Sequence, residues 1–169
     1  NGEQVPELQD FISEVMKAGS CTRLWLDIKN ITSPKTLTDY PINACKRACE
    51  IITEMKAQNF VEFICTGNQT VMAKSNEYAR AAGVEIGWMG NQPASVYQQK
   101  SYTWANLSTT YMSQGGGERT IDEFTKADIA ISVFNADDDA TMNYYISKAK
   151  QMKAICTNYP KKLINKMKK

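Results

Sequence analysis

The sequence contains no histidine. That removes the commonest general acid–base side chain and the commonest metal ligand, so chemistry that depends on imidazole cannot come from this chain. Cysteine is present without a pattern. Cys21, Cys45, Cys49, Cys65 and Cys156 are odd in number and scattered, which does not make a disulfide framework. Cys45 and Cys49 stand four apart on an expected helix, where small apolar thiols pack well, and further ligands at zinc spacing are missing. No apolar run approaches membrane-spanning length, and no signal-peptide pattern is visible. Strong charge of one sign is also lacking. Twenty Lys and Arg against eighteen Asp and Glu leave a formal charge of +2, without the concentrated basic face that nucleic acid asks for. Lys161, Lys162, Lys166, Lys168 and Lys169 gather at the end and read as a solvated last helical turn. No glycine fingerprint for a dinucleotide follows the first expected strand, and there is no Walker pattern. The compartment is not set by the sequence: cytoplasmic, or periplasmic if a signal peptide lies upstream.

What is there suits one domain. The 169 residues are 43% hydrophobic and 22% charged, enough to bury a sizeable core. Leu24-Trp25-Leu26-Asp27-Ile28-Lys29 organises the rest. It begins as a buried-strand run and ends with an acid and a base two residues apart, hence on one face. A strand-end ion pair without a role is the plain alternative.

Around it, hydrophobic periodicity and turn residues predict alternating elements. A helix starts at Pro6 and stops at Gly19, and the strand Arg23–Lys29 follows. A polar loop, 30–41, then leads to a helix from Ile42 to about Gln58. Further strands are expected over Phe60–Thr66, Val84–Met89, Tyr102–Leu107, Ile129–Phe134 and Lys153–Thr157. Helices are expected over Val71–Ala82, around Pro93–Gln99, over Ile121–Lys126, after Asp137–Asp139, and from Pro160 to Lys168. Ser108 to Gly117 reads as a long loop ending in three glycines that could cradle a phosphate.

Six strand–helix units in succession imply a parallel sheet with helices packed outside it. Right-handed crossovers put the strand C-ends on one rim. There they gather Asp27, Lys29, Thr66, Asn68, Trp88, Asn91, Asn106, Phe134, Asn135, Thr157 and Asn158.

Four stretches, in this order, resemble the C-terminal part of the glycerophosphodiester phosphodiesterase family. Val5-Pro6-Glu7-Leu8-Gln9-Asp10-Phe11 is similar to that family's I-P-T-L-E-E-x-L segment. Leu24–Lys29 is similar to its L-x-I-E-I-K strand. The stretch around Phe134-Asn135, with Asp137–Met142 after it, resembles W-T-V-N-D-E-E-D-M, and Ala154–Leu163 resembles G-I-I-T-D-Y-P-x-x-L. The resemblance implies a TIM-type (β/α) barrel, of which this single domain holds about six of eight units. The family's H-R-G and E-x-D motifs would then precede Asn1. Open edges on the first and last strands would need a missing N-terminal segment or a second copy to cover them.

The resemblance further implies metal-assisted hydrolysis of a glycerophosphodiester to an alcohol and glycerol phosphate, within lipid metabolism. In it Asp27 is a ligand of a divalent cation, Mg²⁺ or Ca²⁺, and Lys29 is the catalytic lysine beside the phosphate. Trp88, Phe134 and Asn135 are the expected substrate-binding residues. The acid and base histidines are expected upstream. This segment alone is expected to bind metal weakly or not at all and to be inactive. Three departures stand out: Asp27 for Glu, Ser132 where the tryptophan aligns, and Asn158 for the Asp of T-D-Y-P. They keep open a second reading, a non-catalytic barrel binding a phosphate or polyol ligand.

Overall fold

The computed structural model describes residues 5–19, 21–29 and 39–168. Helices and strands alternate. The first elements are α1 (Leu8–Ala18), β1 (Leu24–Ile28), α2 (Asp39–Glu54), β2 (Val61–Cys65), α3 (Gln69–Ala81) and β3 (Ile86–Trp88). Next come α4 (Ala94–Gln99), β4 (Trp104–Ser108), α5 (Thr109–Gln114), α6 (Glu118–Lys126) and β5 (Ala130–Phe134). The chain continues through α7 (Asp139–Ser147), β6 (Met152–Ile155) and α8 (Pro160–Met167). The strand order is β1-β2-β3-β4-β5-β6, and the pairs β1/β2, β4/β5 and β5/β6 are parallel. Sequential parallel strands with helical returns define an α/β fold of the TIM-barrel type. Six of that fold's eight units are present, an incomplete barrel with β1 and β6 at the ends of the order. The chain separates into two compact units, one ending at Gly87 and the other beginning at Trp88.

In the first unit β2 is buried at every position, which is why it reads as a near-continuous apolar run. Its exception, Glu62, lies 3.8 Å from the Arg23 guanidinium. α2 turns Cys45, Ala48, Cys49 and Ile52 inward at helical spacing, as buried side chains with the cysteines unbridged. The helix begins before Ile42 because Pro41 is tolerated in a first turn. It ends before Gln58 because Lys56 adopts a left-handed conformation and the Ala57 amide closes back on the Ile52 carbonyl at 2.9 Å. Asn68 caps α3, its side-chain oxygen accepting from the Val71 amide at 2.9 Å.

The second unit is built on aromatic packing. Trp88, Tyr97 and Phe124 follow one another with ring centroids 4.8 and 5.4 Å apart. Trp104, Leu107, Met112, Val133 and Met142 are fully buried. The expected loop from Ser108 to Gly117 is instead mostly helix. Ser108 caps α5 by accepting from the Tyr111 amide at 3.1 Å, and only the glycines form the turn into α6.

Candidate functional site

Asp27 and Lys29 come together as their spacing requires. β1 aligns Asp27 beside Ile64 of β2, and the Lys29 ammonium sits 3.0 Å from an Asp27 carboxylate oxygen. The side chains are 36% and 68% exposed, so the pair adds little to stability. Its chemistry is an accessible ammonium held by one carboxylate at the C-terminal end of the strand, where sites are built in this architecture.

The other three expected residues lie in the second unit. Trp88 ends β3, and its ring is packed between Tyr97 and Tyr102 with the Lys100 ammonium 5.8 Å from its centre. A side chain at Gly90 would collide with that ring, 2.3 Å from its nearest atom, so glycine lets the backbone pass over it. Tyr97 donates its hydroxyl to the Trp88 carbonyl at 3.3 Å. Burial pushes the Tyr97 phenol far above its ordinary range, so it stays a donor. Phe134, half-buried, ends β5, and Asn135 follows it in the open, across a cis peptide bond.

Polar groups at the strand ends of this unit are tied to one another. The Ser108 amide donates to the Asn91 side-chain oxygen at 2.9 Å, and the Asn91 amide group donates back to the Ser108 hydroxyl at 3.1 Å. Below them Asn106 and Ser132 stand opposite each other in the β4/β5 register, buried, with the Ser132 hydroxyl donating to Asn106 at 2.9 Å. Asp137 joins the exit of β5 to the exit of β6. It accepts from the Asn158 amide at 2.8 Å, from its side chain at 2.7 Å and from the Thr157 hydroxyl at 3.0 Å. These bonds, the Asn158 amide first, hold its carboxyl below the ordinary carboxylate value.

Asp137 opens the acidic run Asp137–Asp139 that precedes α7. The cap is Asp138, which accepts from the Thr141 amide at 2.9 Å, so Asp137 is left to reach across. The three-residue spacing from Asp138 to Thr141 was the available signal. The glycine run does not cradle a phosphate. The amides of Gly115, Gly116 and Gly117 donate to the carbonyls of Tyr111, Ser113 and Met112, closing the turn.

A hard divalent cation asks for about six oxygens. No group of three or more metal-ligating side chains occurs among the described residues; the Asp27 carboxylate already faces an ammonium, and the Asp137 carboxylate is taken up by Thr157 and Asn158. The donor set present does not fit such an ion.

Neither a protein-family model nor a curated protein matches the sequence. Solved structures do match. A glycerophosphodiester phosphodiesterase from Parabacteroides distasonis superposes with a TM-score of 0.77 at 15% identity, over 99% of this chain and 66% of that one. A glycerophosphodiester phosphodiesterase from Agrobacterium tumefaciens gives a TM-score of 0.64 at 12% identity, over 94% of this chain and 60% of that one. The chain thus shares the fold of glycerophosphodiester phosphodiesterases and spans less than two thirds of the length of either.

Proposed function

We propose that this chain is the C-terminal portion, a single domain, of a glycerophosphodiester phosphodiesterase barrel, and that its own part is to receive the phosphate end of the substrate. The observation that carries this reading is the Asp27–Lys29 pair at the C-terminal end of β1, in a fold shared with those enzymes. Lys29 supplies a fixed positive charge for the phosphodiester anion, and Asp27 orients its ammonium. In the second unit, considered by itself, Asn135 with its exposed amide and the rings of Trp88 and Phe134 are the substrate-binding candidates. Hydrolysis by the family's route needs two imidazoles, which a histidine-free chain does not supply, and a divalent cation would need ligands from elsewhere. The second reading, binding without turnover, is favoured by Lys29 lying against the carboxylate that would otherwise be a ligand.

The test is a titration of the 169-residue chain with glycerol phosphate. Resonances of Asp27 and Lys29 should move and saturate, and Lys29→Ala should abolish the response. Equal binding by the variant would remove Lys29 from the site. In a longer chain that carries upstream histidines, Lys29→Ala should lower glycerophosphodiester hydrolysis by ~10²–10³, the scale of losing one charge-stabilising donor. Turnover by the unaltered longer chain decides between the enzyme and the binder.

A further inference from the structure

A groove of about 650 Å³ lies in the second unit between the α5–α6 turn and α7. It falls within the range of about 300–1,000 Å³ typical of small-molecule sites. Thr109, Thr110, Ser113, Thr141, Tyr144 and Glu118 supply its polar lining. None of Asp27, Lys29, Trp88, Phe134 and Asn135 lines it. We propose that this groove binds a neutral polyhydroxylated ligand, a sugar ring or a polyol, on the hydroxyls of Thr109, Thr110 and Thr141 and the ring of Tyr144.

The chemistry of the walls selects that class. Thr109 and Thr110 have hydroxyls with no protein partner among the described residues, each able to donate and accept. Ser113 donates to the Thr110 carbonyl at 2.9 Å and Thr141 to Asp138 at 2.6 Å, so both present lone pairs as acceptors. Tyr144 adds a phenol and a half-buried ring, braced edge-on by Tyr145, which is 3% exposed. The glycine turn makes room for this. A side chain at Gly117 would lie 2.5 Å from the Tyr144 hydroxyl, so only glycine lets the phenol rest there.

Other ligand classes fit worse. No lysine or arginine lines the groove and the turn amides are already bonded, so its walls offer an anion no charged partner and no free amide. The Glu118 carboxylate is bonded to Lys148, which leaves it no unpaired charge for a cationic ligand. A wholly apolar ligand would strip water from the hydroxyls without replacing its hydrogen bonds. A sugar or polyol satisfies the hydroxyls and lays its C–H face on the aromatic ring.

The experiment is an amide-resonance titration of the whole chain with maltose and with myo-inositol, and with sodium phosphate as the anionic comparison. Saturable movement at Gly116, Gly117 and Thr141 is expected for at least one of the two neutral probes and not for phosphate. Tyr144→Ala should weaken it about tenfold, equivalent to about 1.4 kcal/mol. Thr110→Val, an exposed position that keeps its shape, should weaken it as well, while Lys29→Ala should leave it unchanged. Linear movement with both neutral probes, saturable movement with phosphate, or equal binding by both groove variants would each overturn the proposal.

Discussion

Asp137 illustrates how much one half-buried carboxylate can organise when its donors are fixed. Three of its donors sit on one turn, Thr157-Asn158, and two of these come from Asn158 alone. The Asp found at this position in T-D-Y-P would bring two carboxylates within 2.7 Å of each other here, in place of a donor and an acceptor. Asn158→Asp should therefore lower the melting temperature at neutral pH. The deficit should shrink in acid, where one carboxyl is protonated and donates. Melting curves at neutral and acid pH check this, and equal deficits at both would refute it. The native clasp follows the same linkage. A carboxyl held below its ordinary value stabilises fully above that value and loses the contribution as pH falls through the lowered one. Ser132 poses a sharper case, because it is buried and its hydroxyl is a donor to Asn106. Ser132→Ala should cost about 1–3 kcal/mol, the range for leaving a buried polar atom unsatisfied, measured by urea unfolding.

At the scale of elements, capping decides boundaries that periodicity leaves open. Asn68, Ser108 and Asp138 each accept from the amide three residues on. Asn68→Ala should lose about 1 kcal/mol of stability, with the loss read from a denaturant midpoint shift at unchanged slope. A change of slope would mean that more than the α3 terminus had altered. The apolar stripe of α2 and the run in β2 were legible because their periods, 3.6 and continuous, are written in Cys45, Cys49, Ile52 and in Val61–Cys65. The stretch Ser108–Gly117 was not legible. Six helical residues carry too little periodicity to outweigh the turn signal of three glycines.

For the whole molecule, composition constrains activity more tightly than fold does. Six strand–helix units align with two glycerophosphodiester phosphodiesterases, yet the chain has no imidazole, and its Asp27 carboxylate lies against a lysine. The 169-residue chain should release no measurable glycerol phosphate from a glycerophosphodiester. Release that survived purification and vanished in Lys29→Ala would point to different chemistry. Calorimetry with Mg²⁺ or Ca²⁺ should show weak binding or none. Micromolar affinity lost in Asp27→Ala would contradict the donor count.

The sequence by itself determined the alternation of elements, the strand-end position of Asp27 and Lys29, and the absence of imidazole chemistry. These are local or compositional properties, carried by periodicity, parity along a strand and residue type. Tertiary structure alone decided which polar side chains at the strand ends satisfy each other. Ser108 with Asn91, and Asp137 with Thr157 and Asn158, are pairings across 17 to 21 residues that no spacing rule predicts. It also decided that the triple glycine closes a turn beneath Tyr144, because the destination of a backbone amide depends on which carbonyl folding brings within reach.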